Sequence, residues 1–285
     1  MLSNLALLFV SLILLNTCSP SAKAIKAVGP RINEKVILRP DFKKYFDQCQ
    51  VEGSIVIFDD AKKQWVASDT VGIYTEMLPA STFKIINLLI ALETKTIADE
   101  NEVIKWVGKT DTLKYGYRPE IYHDMTVKEA FRISAGWAFI ELSKKIGKDR
   151  YMKYLKQCNY GNLDLSRDDP DFWNYGSFGI SPVNQVEFLR LLHQEKLPFS
   201  VKHMKTVKEV MKTEENAGYS IHSKTGWTRE GGTSIGWWVG YVETEDGATF
   251  FATRILTRAK SAGPDFGPCR KEITRSVLKE LKILE

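Results

Sequence analysis

Two groups of strand-forming segments lie far apart in this chain, and that separation limits its fold more than any other feature. Residues 54–68, "SIVIFDDAKKQWVAS", read as two strands around a polar turn. "HSKTGWT", "SIGWWVGYVET" and "TFFATRIL", between His222 and Leu256, read as three more, and the short turns make neighbours antiparallel. Between the groups, roughly residues 80 to 215, apolar side chains recur at helical spacing in "STFKIINLLIALETKTI", "TVKEAFRIS", "WAFIELSKKIG", "DRYMKYLKQC" and "PVNQVEFLRLLHQ". A last segment, "PCRKEITRSVLKELKIL", sets Ile273, Val277, Leu281 and Leu284 along one helix face. The expected architecture is α+β in three layers (α/β/α), a five-stranded antiparallel sheet split by a helical insertion and flanked by helices. With 285 residues, 44% of them hydrophobic, and no repeat or internal boundary, residues 25–285 are expected to form a single domain with ample core.

Residues 5–15, "LALLFVSLILL", are too short an apolar run to span a bilayer and suit a signal-peptide h-region, so residues 1–24 are expected to be removed on export. Two processing signals compete. "SAKA" ending at Ala24 resembles an A-x-A site, and "LNTC" ending at Cys18 loosely resembles a lipoprotein box, with Asn16 a poor fit. The expected location is periplasmic or secreted, with a lipid anchor at Cys18 as the alternative and no transmembrane segment in the mature chain.

The formal net charge of +5 is modest, and the lysines are scattered over amphipathic segments, which argues against nucleic acid as a partner. Cys49, Cys158 and Cys269 are too widely spaced for a C-x-x-C site, and free buried thiols are expected, with one disulfide compatible. His123, His193, His203 and His222 form no H-x-H or H-E-x-x-H pattern, so no metal is implied.

Within "PASTFKIINLLIAL", residues 79–92, one lysine sits in an otherwise apolar run. The i to i+3 spacing puts Ser81 and Lys84 on one helix face, one turn apart. The apolar residues around nearly the whole helix bury the amine, and burial favours its neutral form. A neutral Lys84 can serve as base toward the Ser81 hydroxyl. Alone, S-x-x-K reads more readily as an N-cap serine followed by a snorkelling lysine. About 140 residues later, "SKTGW" offers Lys224, Thr225 and Gly226 on a strand along whose edge a substrate can lie. S-x-x-K followed by K-T-G is the ordered signature of penicillin-recognising serine enzymes.

Taken with "ISAGW" (Ser134), "YGN" (Tyr160, Asn162), "FW" (Trp173) and "CRKEIT" (Arg270), the chain resembles the class D, oxacillinase-type serine β-lactamases along essentially all of residues 25–285. The resemblance implies the serine β-lactamase and penicillin-binding transpeptidase-like fold and a β-lactam substrate. It implies an acyl-enzyme on Ser81, with the backbone N–H groups of Ser81 and Trp227 as oxyanion hole. Lys84 would be the base, N-carboxylated by CO2 or bicarbonate with no other cofactor, and Trp173 would donate a hydrogen bond to that group. Ser134 and Lys224 would protonate the leaving nitrogen. Thr225 and Arg270 would bind the substrate carboxylate, with Gly226, Trp227, Tyr160 and Asn162 as further substrate-binding residues.

Three positions depart from the family pattern. Gly136 stands where Val is usual, Asn174 where Leu is usual and Ile86 where Pro is common; the first two are expected to make the lysine pocket wetter and its carboxylation less complete. The alternative function is a penicillin-binding or sensor domain that is acylated and stays so.

Overall fold

The computed structural model describes residues 36–167, 169–258, 263 and 265–284, so the expected signal peptide at residues 1–24 and Cys18 lie outside the described residues. The two strand groups do come together in one sheet. Its strands are β1 (Val36–Leu38), β2 (Glu52–Asp59), β3 (Gln64–Ala67), β6 (Lys212–Glu215), β7 (Ser220–Glu230), β8 (Thr233–Thr244) and β9 (Gly247–Thr257). They run in the order β1-β3-β2-β9-β8-β7-β6, and β4 (Val103–Ile104) pairs with β5 (Met125–Thr126) separately. The central β2-β9-β8-β7 ladders are antiparallel, as the turns require.

The five-strand expectation needs correcting to a seven-stranded mixed sheet, because β1 joins β3 in parallel and β6 joins β7. Both additions are short edges. β6 reads Lys-Thr-Glu-Glu, with no apolar face, and charged short edges are what a sheet uses to end its ladder.

The helices of the insertion are α2 (Lys84–Glu93), α3 (Thr112–Tyr115), α4 (Val127–Arg132), α5 (Gly136–Ile146), α6 (Lys148–Gln157), α7 (Phe172–Tyr175), α8 (Pro182–His193) and α9 (Val201–Met211). Their ends follow local chemistry. Ser181 accepts from the Asn184 N–H ahead of Pro182, and Thr126 accepts from the Glu129 N–H, which satisfies N–H groups that a helix start leaves orphaned. One apolar cluster fills the space between the sheet and this insertion, including Phe83, Leu88, Phe139, Leu142, Val186 and Trp237. The opposite sheet face packs on α1 (Lys43–Gln48) and α10 (Phe266–Glu280) through Phe46, Trp238, Phe251, Ile273 and Val277. That gives three layers.

A disulfide between Cys49 and Cys269 ties the end of α1 to α10, with a Cα–Cα distance of 6.0 Å, while Cys158 is free and buried. The expectation of free thiols therefore holds for Cys158 and is corrected for the other two. Spacing hid the pair because 220 residues separate the partners.

Candidate active site

The polypeptide enters α2 through a 3-10 turn, Ala80–Phe83, so Ser81 stands one turn ahead of Lys84. Ala80 adopts φ of +51°, a left-handed conformation that is strained for a residue with a Cβ and that kinks the backbone just before the serine. The turn is pinned from several sides. Trp237 Nε1 on β8 donates to the Leu78 carbonyl at 2.9 Å, Thr82 Oγ1 donates to the Pro79 carbonyl at 2.7 Å, and Gln185 Nε2 on α8 donates to Thr82 Oγ1 at 2.9 Å.

Lys84 is fully buried, and its Nζ lies 2.8 Å from Ser81 Oγ. Burial pulls its pKa from 10.5 down to about 8; the Asp171 charge opposes this and the Arg118 charge reinforces it. An amine in that range supplies a substantial neutral fraction, the form a base needs.

Strand β7 passes alongside. Its ladder with β6 reaches only from Ser220 to His222, so the edge of Lys224, Thr225, Gly226 and Trp227 has no strand partner on that side among the described residues. Gly226 is demanded by the approach: a Cβ there would lie 2.8 Å from the Pro79 carbonyl oxygen and 3.2 Å from the Ser81 nitrogen. Lys224 Nζ crosses to Ser134 Oγ at 3.0 Å and also donates to the Thr225 carbonyl at 3.0 Å. Its pKa falls well below the usual lysine range, first through burial and then through the cations Lys84, Arg270, Lys271 and Arg118. Ser134 itself sits at φ +59° between α4 and α5. From α10, Arg270 Nη1 reaches the Gly226 carbonyl at 2.6 Å, and burial lowers its pKa to about 10 without discharging it at neutral pH.

These side chains border a cleft of about 260 Å³ whose walls include Ser81, Ser134, Thr225, Trp227, Arg270 and Tyr115. Its size and convergent polar groups suit a small polar ligand. Trp173 is buried, with its ring stacked on Phe83 at 5.0 Å and 8° between planes. Among the described residues its Nε1 has no acceptor at hydrogen-bond length. A buried indole N–H without a partner is uncommon and marks a place for an acceptor.

Tyr160 and Asn162 are not brought to the cleft. Tyr160 is fully buried with its hydroxyl toward Gln185 Oε1 at 3.4 Å, behind the Ser81 turn, and Asn162 uses its side chain on the Ser177 carbonyl and the Asp164 N–H. Their place is structural support, not substrate contact. Gly136 lines the cleft with open space where a Cβ would stand, and Asn174 lines it while donating Nδ2 to Asp171 Oδ1 at 2.6 Å. Sequence reasoning missed Tyr115, Arg118 and Asp171, which lie in loops or short turns whose motifs carry no chemical signature.

Residues 53–279 match the penicillin binding protein transpeptidase domain family. The chain is 36% identical over 253 residues to "Beta-lactamase OXA-2" of Salmonella typhimurium, covering 88% of each chain. It is 40% identical over 246 residues to "Beta-lactamase OXA-10" of Pseudomonas aeruginosa, covering 85% of this chain and 89% of that one. A crystal structure of a class D β-lactamase from Sebaldella termitidis superposes with a TM-score of 0.82 at 36% identity, over 88% of this chain and all of the other. With the serine, the buried lysine and the K-T-G edge assembled on that fold, this chain belongs to the class D serine β-lactamases.

Proposed function

We propose that this chain hydrolyses β-lactam antibiotics through an acyl-enzyme on Ser81. The observation that carries the reading is the 2.8 Å contact between a buried amine and the serine hydroxyl at the wall of a cleft. Ser81 Oγ attacks the lactam carbonyl carbon and gives its proton to the Lys84 position. Collapse of the tetrahedral adduct breaks the C–N bond, and Ser134, backed by Lys224, delivers a proton to the departing nitrogen. Thr225 and Arg270 hold the substrate carboxylate at the mouth, where Arg270 remains cationic. Deacylation then needs a proton acceptor beside the ester, and Lys84 is the group standing there.

A CO2 molecule bound to the Lys84 amine would supply that acceptor as a carbamate. The residues fit such a group: a lysine with lowered pKa, the apolar Phe83 and Phe139 around it, and the unpartnered Trp173 Nε1 as donor. Export by way of residues 1–24 belongs to the same reading, supported by the apolar run at residues 5–15. Among the described residues no helix is long and apolar enough to cross a membrane. The test is hydrolysis of benzylpenicillin by the purified protein and by Ser81→Ala: turnover that vanishes in the variant is expected, and equal turnover in both would refute the assignment.

A further inference from the structure

Helix α3 carries Tyr115, a wall of the cleft that no step of acyl transfer uses. The helix has no buried side chain, Leu113 is 99% exposed, and Gly108 and Gly116, at φ +75° and +79°, lie on either side of it. Burial of α3 itself therefore does little to fix its place. Contacts with the loop of residues 169–175 do so instead. Lys114 Nζ lies 3.1 Å from Asp169 Oδ2, and 4.7 Å and 5.2 Å from the ring centroids of Tyr175 and Tyr115. Tyr175 Oη donates to the Lys114 carbonyl at 2.7 Å, and the two tyrosine rings meet edge-on with centroids 5.8 Å apart. Asp169 is held within its own loop, where Oδ1 accepts from the Asp171 N–H at 2.9 Å. Tyr175 lines the cleft beside Tyr115.

We propose that Lys114 is a positioning residue that clasps α3 to the 169–175 loop, holds Tyr115 and Tyr175 together at one end of the cleft, and thereby selects against β-lactams with bulky acyl side chains. The inference rests on the hydrolysis reading given above and adds to it the side-chain size that the cleft accepts. That reading commits Ser81 to the lactam carbonyl, Ser134 to the leaving nitrogen, and Thr225 with Arg270 to the carboxylate. In a penicillin the acylamino chain leaves the ring from the carbon next to the carbonyl, on the side away from the nitrogen. It therefore runs toward the cleft lining that remains, where Tyr115, Asn174 and Tyr175 stand. The Lys114 ammonium pairs with the Asp169 carboxylate and attracts both ring faces, so one cation joins the two loops and the two rings. Rings held this way form a firm end wall, and a firm wall discriminates by volume.

The test measures kcat and KM for benzylpenicillin and nafcillin, which share one nucleus and differ only in the acyl side chain, phenylacetyl against the larger ethoxynaphthoyl. The proteins are wild type, Lys114→Met, Asp169→Asn and Lys114→Arg. Methionine keeps the apolar stem and removes the cation, and asparagine keeps an oxygen to accept from the Asp171 N–H while removing the charge. Both neutral variants are expected to raise the nafcillin-to-benzylpenicillin ratio of kcat/KM about tenfold, through a lower KM for nafcillin, with benzylpenicillin kinetics close to wild type. Lys114→Arg keeps a cation that can pair with the carboxylate and face the rings, and is expected to keep the wild-type ratio. A ratio unchanged or lower in either neutral variant, a parallel loss on both substrates, or a shift in Lys114→Arg as large as in Lys114→Met overturns the proposal and leaves the hydrolysis reading standing. No hydrolysis of either penicillin by the wild type overturns the hydrolysis reading and the proposal with it.

Discussion

Lys84 Nζ and Ser81 Oγ are 2.8 Å apart, and the lysine that makes this contact has no exposure to solvent. Replacing Lys84 by Ala removes the base while leaving the hydroxyl in place. Turnover of benzylpenicillin is expected to fall roughly 10²- to 10⁴-fold, with slow acylation retained. Steady-state rates within a few-fold of wild type would contradict the role.

The amine is the base only when neutral, which fixes the pH dependence in CO2-free buffer. Burial lowers its pKa to about 8, so the base form is scarce below that pH and fills in above it. The rate of Ser81 acylation, measured by stopped-flow, is expected to rise with pH through about 8 and then level off. A midpoint near the ordinary lysine value, or no dependence, would show that another group takes the proton.

Trp173→Phe keeps an aromatic ring able to stack on Phe83 and removes the unpartnered Nε1–H together with the five-membered ring of the indole. Losing one hydrogen bond to a charged acceptor is expected to weaken deacylation by about ten- to a hundredfold at low bicarbonate. Acyl-enzyme should accumulate in quenched samples, and high bicarbonate should restore turnover. Unchanged deacylation would assign Trp173 to packing alone.

Gly226→Ala places a Cβ 2.8 Å from the Pro79 carbonyl oxygen. Backbone on both sides leaves no flexible atom to yield, so the Ser81 turn and β7 must separate. A misplacement on the order of 1 Å is expected to cost about 10²-fold in kcat/KM. Wild-type kinetics in this variant would mean that the turn and strand approach less closely than described.

The Cys49–Cys269 bridge closes a loop of 220 residues between α1 and α10, on the sheet face away from Ser81. The Cys49→Ser/Cys269→Ser pair is expected to lose about 2–4 kcal/mol of stability in denaturant unfolding while kcat stays close to wild type. No change in stability would contradict a structural role for the bond.

What the sequence made legible followed strong local signals. The long strands β7, β8 and β9 and the apolar helix α2 carried their own periodicity, so the sheet core and the Ser81–Lys84 pair could be read directly. β6 could not, because four polar residues at an edge gain their strand geometry from β7 rather than from burial. Helix α9 has a clear apolar face in Met204, Val207 and Met211, which the reading passed over. Tyr160 and Asn162 show the limit of motif transfer: a motif marks a place in the fold, and here Tyr160 backs the Ser81 turn through Gln185 and Thr82, while the Asn162 side chain bonds the Ser177 carbonyl and the Asp164 N–H. Asp171 was silent because one acid in "DDPDFW" looks solvated until the fold buries it.

The most direct test of the central claim is an intact-mass time course of residues 25–285 with a slight excess of benzylpenicillin in bicarbonate buffer, followed by peptide mapping. The account predicts one penicillin mass added at Ser81, then its loss as hydrolysed product appears. An adduct that persists, one mapped to another residue, or none at all would contradict it.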